Sequence, residues 1–521
     1  MKKIISILLV ILLGLVSFFD KELFVGLLLI LFLTIATFFI MYKTGVKDKT
    51  IYIVFLIGLL VHFVAVLFIY YFNFKPFGGG ADYDLYDAIA KEISIRFKAG
   101  NFSLSGLYAD HFFPILIGTL YIFTLPSIIV GQLFIIWFAA ISILLSYLIV
   151  LEIGGTKKIA FLVGIIISIY PSYLYFGSVL LKDTLVIPLA LAGVLLVLKM
   201  IKDFSWLKFL LFFVILTCLI NLRFYIGYAL MFTFIISWPI LSEFKFNDKI
   251  TYWLTIIFLL GFSPQIVGNG YYASNSFKKL LNQETITYYR EVVYSNNQPV
   301  TPQPTIPEPS PPQPVIPQPI VPQITTPEPV TPQPTIPEPV IPQPTTPQPT
   351  PPKQEISGGG SNFELETGLD EGIIQFSKNS VQSFVYSLLG PFPWQLRHQR
   401  QIMSLVETTP WYLLIIVSIY GSIKFIKRKG FLNFLKFYKF GLPLLLFSIL
   451  ALGALSLFIN NYGIIVRIRI PAFICLILIM FISFNNDVEK YYKKIYEKSF
   501  NHRRSWIHWF SSIRNTFKIG V

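Results

Sequence analysis

The chain has 521 residues, of which 54% are hydrophobic and only 13% are charged. This balance excludes a water-soluble globular enzyme and is typical of an integral membrane protein. The formal net charge of +15 does not indicate nucleic-acid binding, because the basic residues fall in loops predicted to face the cytoplasm. The two cysteines, Cys218 and Cys475, lie inside apolar runs and predict neither a disulfide framework nor a metal site.

Apolar runs long enough to cross a bilayer recur along the chain. The first resembles a signal sequence, but no small-residue cleavage site follows it, so we predict a retained helix. The fold class is therefore an all-α polytopic membrane protein. We predict twelve membrane-spanning helices, at 4–19, 23–42, 51–72, 128–151, 159–176, 184–201, 206–222, 224–243, 250–268, 411–426, 440–458 and 467–484.

The distribution of lysine and arginine predicts the orientation of these helices. Loops near residues 43–49, 157–158, 199–208, 245–249 and 424–439 are basic, whereas segment 269–410 is net acidic. Positive loops stay in the cytoplasm, so both termini are predicted to be cytoplasmic. The apolar stretch His111 to Pro126 does not fit as a crossing, and we predict a half-membrane or surface-lying helix on the outer side.

These crossings divide the chain into five segments. Residues 1–50 form two N-terminal helices, and residues 51–268 form a membrane core with an outer loop at 73–127. A large extracytoplasmic loop, 269–410, contains proline-rich repeats at 298–352 that predict a disordered or polyproline II segment. Three C-terminal helices occupy 411–484, and a basic tail, 485–521, suits an inner-leaflet surface helix.

Charged residues at the outer rim are the candidate functional residues, because charge near the bilayer is costly. Asp82 and Asp84 follow a glycine run in the first large outer loop, and Asp183 stands beside Lys182 before an apolar run. Both acidic positions also suit helix capping, and that interpretation stays open. Carboxylates at a bilayer edge fit chemistry on a lipid-linked substrate.

The outer cations need an anionic partner, because they oppose the positive-inside trend. Arg467 and Arg469 lie at the outer end of the last predicted crossing, and Arg223 follows Asn221 at the outer rim. Guanidinium groups bind phosphate oxygens through two parallel hydrogen bonds. Snorkelling to lipid headgroups is the alternative. Trp394, Arg397 and His398 lie in a rigid aromatic segment that predicts either a lid over the acceptor side or an interface anchor.

The order of these motifs resembles the GT-C superfamily of membrane glycosyltransferases, in particular bacterial protein mannosyltransferase-like and aminoarabinose transferase-like enzymes. The resemblance covers about residues 51–270 and, more loosely, the last three helices. It rests on four short motifs: Asp82-x-x-x-Tyr86-x-x-x-Ala90, His111-x-x-Pro114, Tyr170-Pro171 leading to Lys182-Asp183, and Asn461-x-Gly463 leading to Arg467-x-Arg469-x-Pro471.

The resemblance implies transfer of a sugar from a polyprenyl phosphate to an acceptor lipid, glycan or protein, by inverting displacement outside the cytoplasm of a bacterial cell. It puts the catalytic carboxylate at Asp82, and we expect Asp84 to assist. Arg467 and Arg469, with Lys182 and Arg223, would bind the donor phosphate, and Asp183 is a second acid at the rim. A divalent cation such as Mg²⁺ or Mn²⁺ at Asp82 and Asp84 is a further expectation.

Two other classes stay open. An O-antigen polymerase or ligase would rely on His398, Arg397 and Arg400 in the large late loop instead of Asp82. A transporter or flippase would favour internal repeats and charges at the membrane midplane, and neither is evident in the sequence.

Overall fold

The structure is a computed structural model, and it describes residues 20–74, 81–107, 112–262, 373–395, 405–459, 462–482 and 484. Within these ranges every regular element is helical. The first helices are α1 (Lys21–Lys43), α2 (Lys49–Tyr71), α3 (Ala81–Lys98), α4 (Phe112–Phe123), α5 (Ile128–Glu152), α6 (Lys157–Ser168), α7 (Pro171–Phe176), α8 (Lys182–Lys202), α9 (Trp206–Leu241) and α10 (Phe246–Leu260). The later ones are α11 (Ile373–Leu389), α12 (Leu405–Lys429), α13 (Phe431–Tyr438), α14 (Leu442–Phe458), α15 (Tyr462–Ile468) and α16 (Ile470–Ile482).

Seven of the helices in the described ranges are long and apolar enough to cross a membrane. They are α1, α2, α5, α8, α9, α12 and α14, the last extended by the short 3-10 turn that precedes it. The described part of the protein is therefore all-helical, with several potential membrane spans. The predicted count of twelve is not confirmed, and the predicted first crossing, 4–19, lies outside the described residues.

Two predicted crossings are interrupted. The segment 159–176 divides into α6 and α7, because Pro171 disfavours helical backbone at the preceding residue, Tyr170. The segment 467–484 divides into α15 and α16, with Arg469 between them. Because α7 contacts α15, the two breaks lie in neighbouring parts of the bundle.

The long helix α9 is a hairpin. The rings of Phe212 and Phe234 lie 5.0 Å apart, centroid to centroid. In a straight helix they would be separated by about 33 Å along the axis at 1.5 Å per residue. The chain reverses at Arg223, whose backbone (φ −151°, ψ 86°) is not helical. The two arms correspond to the predicted crossings 206–222 and 224–243.

Helices α5 and α8 form the centre of the bundle. Helix α5 contacts α1, α2, α6, α8 and α16, and the two arms of α9 pack on α8 and α14. Most residues of α8 after Lys182 are buried. A core of this kind fixes the ends of α8 relative to the neighbouring helices.

Polar contacts collect at the two ends of the helices. At one end, which we name the Asp48 end, Asp48 accepts a hydrogen bond from Tyr147 (2.9 Å) and pairs with Lys157 (3.0 Å). At the other, the Asp82 end, Glu22 accepts a hydrogen bond from Ser127. Because the helices alternate in direction, the lysine-rich loops predicted to be cytoplasmic gather at the Asp48 end. The Asp82 end is then the predicted outer end.

Helix α4 does not lie among the long helices as another full crossing, since it has 12 residues and packs chiefly on α3. This fits the predicted short outer element at His111 to Pro126, although His111 itself lies outside the described residues. Helix α4 approaches α3 closely at Gly118. A Cβ there would lie 2.7 Å from Cγ2 of Ile93 and 2.9 Å from the carbonyl oxygen of Ala90.

Replacement of Gly118 by Ala should therefore destabilise the protein by about 1–3 kcal/mol, because the α3 backbone must move to admit the methyl group. A thiol-reactive dye can report the thermal unfolding midpoint in detergent, since Cys475 is buried. Gly453→Ala is the matched control, because nothing lies within 4 Å of a Cβ at that helical glycine. Equal midpoints for the two variants would contradict the close α3–α4 approach.

Candidate active site

The first component of the site is the N-terminal turn of α3. Asp82 lies there with 44% of its side chain exposed. Asp84, two residues later, is exposed on a different face of the helix. Both acids suit the positive end of the helix dipole, as the capping interpretation requires. Asp82 forms an ion pair with Arg467, one of the predicted cations.

The second component joins the start of α8 to the tip of the α9 hairpin. Asp183 is buried in the first turn of α8, and Arg223 is buried at the reversal. Nε and Nη2 of Arg223 donate to Oδ1 and Oδ2 of Asp183 at 2.8 Å and 3.1 Å. This two-point pair fixes the guanidinium plane.

Arg467, near the end of α15, connects the two components. Its Nη1 donates to Oδ2 of Asp82 at 2.7 Å. Its Nε lies 2.8 Å from Oδ2 of Asp183, although this N–H is not aligned for a hydrogen bond. Asp82, Arg467, Asp183 and Arg223 thus form a continuous chain of alternating charges, which we name the ion-pair network. It joins residues from four helices that are far apart in sequence.

Lys182 and Tyr86 surround the network. Lys182 is half-buried and within electrostatic reach of all four network residues. Three cations, Lys182, Arg223 and Arg467, therefore face the carboxylates of Asp82 and Asp183. Burial raises the pKa of the Tyr86 phenol well above its ordinary range, so Tyr86 stays neutral beside these charges. The two carboxylates and two guanidiniums of the network balance, so Lys182 is the additional cation beside them that suits an anionic ligand.

Arg469 does not join the network. It is fully buried, donates to Oε1 of Glu407 at 2.8 Å, and donates to the carbonyl oxygens of Ser387 and Gly390 at 3.0 Å and 2.8 Å. Its guanidinium also lies over the Phe473 ring, 4.5 Å from the centroid. These contacts connect α11, α12 and α16, and they leave Arg469 without the exposed donors that a phosphate site would need.

An apolar cavity of about 650 Å³ is lined by helices that contact those of the network. Its walls come from α2 and α7, with Val406 and Glu407 from α12. Tyr175 in this wall is within electrostatic reach of Tyr83, the neighbour of Asp82. Helix α7 also packs against α15, which carries Arg467. The volume falls within the range of about 300–1,000 Å³ typical of small-ligand sites.

The residues present do not fit a divalent cation at Asp82 and Asp84. One oxygen of Asp82 is held by a guanidinium, three cations lie nearby, and Asp84 faces elsewhere. Within the described ranges no group of three or more His, Cys, Asp or Glu side chains is arranged to hold a metal ion.

The remaining predicted residues are only partly described. Trp394 is exposed and stacks on Phe392, with ring centroids 4.7 Å apart. Arg397 and His398 lie outside the described residues. Glu407 is a polar residue of this region that the sequence reasoning missed. The sequence pattern that could have identified Glu407 is an acid just before an apolar run, as for Asp183.

No known protein family, curated protein or solved structure matches this chain. The resemblance to the GT-C superfamily therefore stays a prediction.

Proposed function

We propose that this protein is a membrane glycosyltransferase that moves a sugar from a polyprenyl-phosphate donor to an extracytoplasmic acceptor. One observation carries the proposal: the ion-pair network has an additional cation, Lys182, beside it, and an apolar cavity is lined by helix α7, which contacts the helix that carries Arg467. A lipid phosphate has the matching chemistry, with an anionic head and a hydrocarbon chain. The predicted outer location of the Asp82 end puts the reaction outside the cytoplasm.

The reaction is a single displacement. The acceptor hydroxyl oxygen attacks the anomeric carbon and forms the new C–O bond, while the bond from that carbon to the phosphate oxygen breaks. The hydroxyl proton goes to the Asp82 carboxylate, which is the exposed acid of the network. The polyprenyl phosphate leaves with the bonding electron pair, and the configuration of the sugar inverts.

The cations stabilise the leaving phosphate. Arg467 is partly exposed and already contacts Asp82, so it faces both the base and the donor. Lys182 adds a second, half-buried positive charge. Fixed positive charge at the point where negative charge develops accelerates the reaction without a reorganisation cost. Asp183, held by Arg223, is a positioning residue for Arg467.

The cavity takes the part of the isoprenoid chain nearest the phosphate. Leu60, Val64 and Phe68 on α2 supply one apolar wall, and Pro171 and Leu174 on α7 supply the other. Burial of these side chains against the isoprenoid chain gives affinity for the lipid donor, so a soluble nucleotide-binding domain is not needed.

Mass spectrometry of surface glycans and glycoproteins tests the proposal in a strain that lacks the gene. We expect one sugar to be missing from its attachment point, and restored by the wild-type gene but not by the Asp82→Asn variant. Shorter glycan chains of unchanged composition would contradict transfer of a single sugar and support a polymerase. Unchanged glycans would contradict both enzymatic proposals.

A further inference from the structure

The two ion pairs of Arg467 differ in how easily they break. Asp183 is only 5% exposed and also holds Arg223, so its separation from the arginines would leave buried charges unpaired. Asp82 is 44% exposed and is held through Nη1 of Arg467. Water can solvate Asp82 after separation, and Arg467, which is only 12% exposed, keeps Asp183 as its counter-ion. The Asp82–Arg467 pair is the exchangeable link.

Two donors beside this link have no partner within the described part of the chain. They are Nη2 of Arg467 and Nζ of Lys182, for which no hydrogen bond or ion pair is found there. Nη1 and Nη2 of a guanidinium form the edge that matches two phosphate oxygens. A phosphate that uses this edge competes directly with Asp82 for Nη1.

We propose that the Asp82–Arg467 pair is a substrate-released latch: the donor phosphate takes Arg467 from Asp82 and so frees the carboxylate to accept a proton. The proposal rests on the proposed function and adds its regulation. While Nη1 of Arg467 donates to Oδ2 of Asp82 at 2.7 Å, that carboxylate oxygen is occupied and does not face an acceptor hydroxyl. The base therefore becomes available only when the donor phosphate is bound.

Binding of a short-chain polyprenyl monophosphate to the full-length protein in nanodiscs tests the latch. Asp82→Asn removes the competitor for Arg467. We expect the lipid phosphate to bind at least about fivefold tighter, the fold-change that corresponds to about 1 kcal/mol for an exposed pair, because Arg467 is only 12% exposed. Asp84→Asn is the matched control, because it removes the same charge from an exposed position on the same helix. We expect its affinity to stay at the wild-type value.

A double-mutant cycle separates exchange at Arg467 from a general field effect. Arg467→Lys keeps the charge but loses the two-point edge, and in that background Asp82→Asn should no longer tighten binding. Equal gains for Asp82→Asn and Asp84→Asn, or no gain for Asp82→Asn, would overturn the latch even if Arg467→Lys fails to fold.

The same experiment distinguishes failure of the latch from failure of the proposed function. Absence of lipid-phosphate binding by the wild-type protein would overturn both proposals. If inorganic phosphate competes as well as the lipid phosphate, the site does not recognise the lipid chain, and the polyprenyl donor is contradicted. The exchange at Arg467 can then still be measured with inorganic phosphate as the ligand.

Discussion

Replacement of Asp82 by Asn should lower sugar transfer by about 10²- to 10⁴-fold, because the proposed general base loses its capacity to take the acceptor proton. The amide keeps the size of the side chain, so the fold should persist. Initial rates in proteoliposomes with a polyprenyl-phosphate sugar give the measurement. Donor affinity should not fall, since the latch proposal predicts tighter binding in this variant. The result would be a loss in kcat without a rise in KM.

Asp84→Asn is the internal comparison for this result. Asp84 lies on the same turn of α3 but is exposed on another face, and we therefore expect transfer within about twofold of wild type, as for surface substitutions in general. The sequence predicted that Asp84 assists Asp82. An equal loss in both variants would restore that role, and near-normal activity of Asp82→Asn would remove Asp82 from the mechanism.

Replacement of Arg469 by Leu should destabilise the protein by about 3–5 kcal/mol, because Glu407 is left as an uncompensated buried carboxylate. The dye-based unfolding midpoint in detergent measures this loss. The double variant Arg469→Leu/Glu407→Leu should recover at least half of it, since an apolar pair in place of a buried ion pair is often nearly neutral. The carbonyls of Ser387 and Gly390 still lose their donor and account for the remainder.

The two outer arginines of the last crossing therefore have different expected roles. Arg467 is partly exposed and pairs with the solvent-exposed carboxylate of Asp82. Arg469, in contrast, is enclosed between three helices. The folded double variant should retain sugar transfer. A stable Arg469→Leu variant that no longer binds the lipid phosphate would instead place Arg469 in the donor site, as the sequence predicted.

Many of the helices could be predicted from apolar runs, because an apolar segment long enough to cross the hydrocarbon core is a local property of the sequence. The reversal at Arg223 was also readable, since a polar Asn-Leu-Arg interrupts a long apolar stretch. The break before Pro171 was not predicted, although proline was visible there. Hydropathy alone does not show whether a proline bends a crossing or divides it.

The candidate site was only partly readable. Charge at the outer rim singled out Asp82, Asp183, Arg223 and Arg467, and the structure brings these four into one network. Their pairing could not be derived from the sequence, because Asp82 and Arg467 are 385 residues apart. For the same reason Arg467 and Arg469 looked equivalent. Their different surroundings arise from the break between α15 and α16, which turns neighbouring side chains towards different helices.

The hairpin at Arg223 constrains biosynthesis. The arms of α9 reverse at a single non-helical residue, so they have no hydrophilic loop to lead them through a translocation channel. The guanidinium at the apex must traverse hydrocarbon, at a cost of about 2.5–3.5 kcal/mol on an insertion scale. Asp183 is synthesised 40 residues earlier and can neutralise it on arrival. Helix α8 and both arms are therefore expected to enter the membrane together, with Asp183 and Arg223 paired.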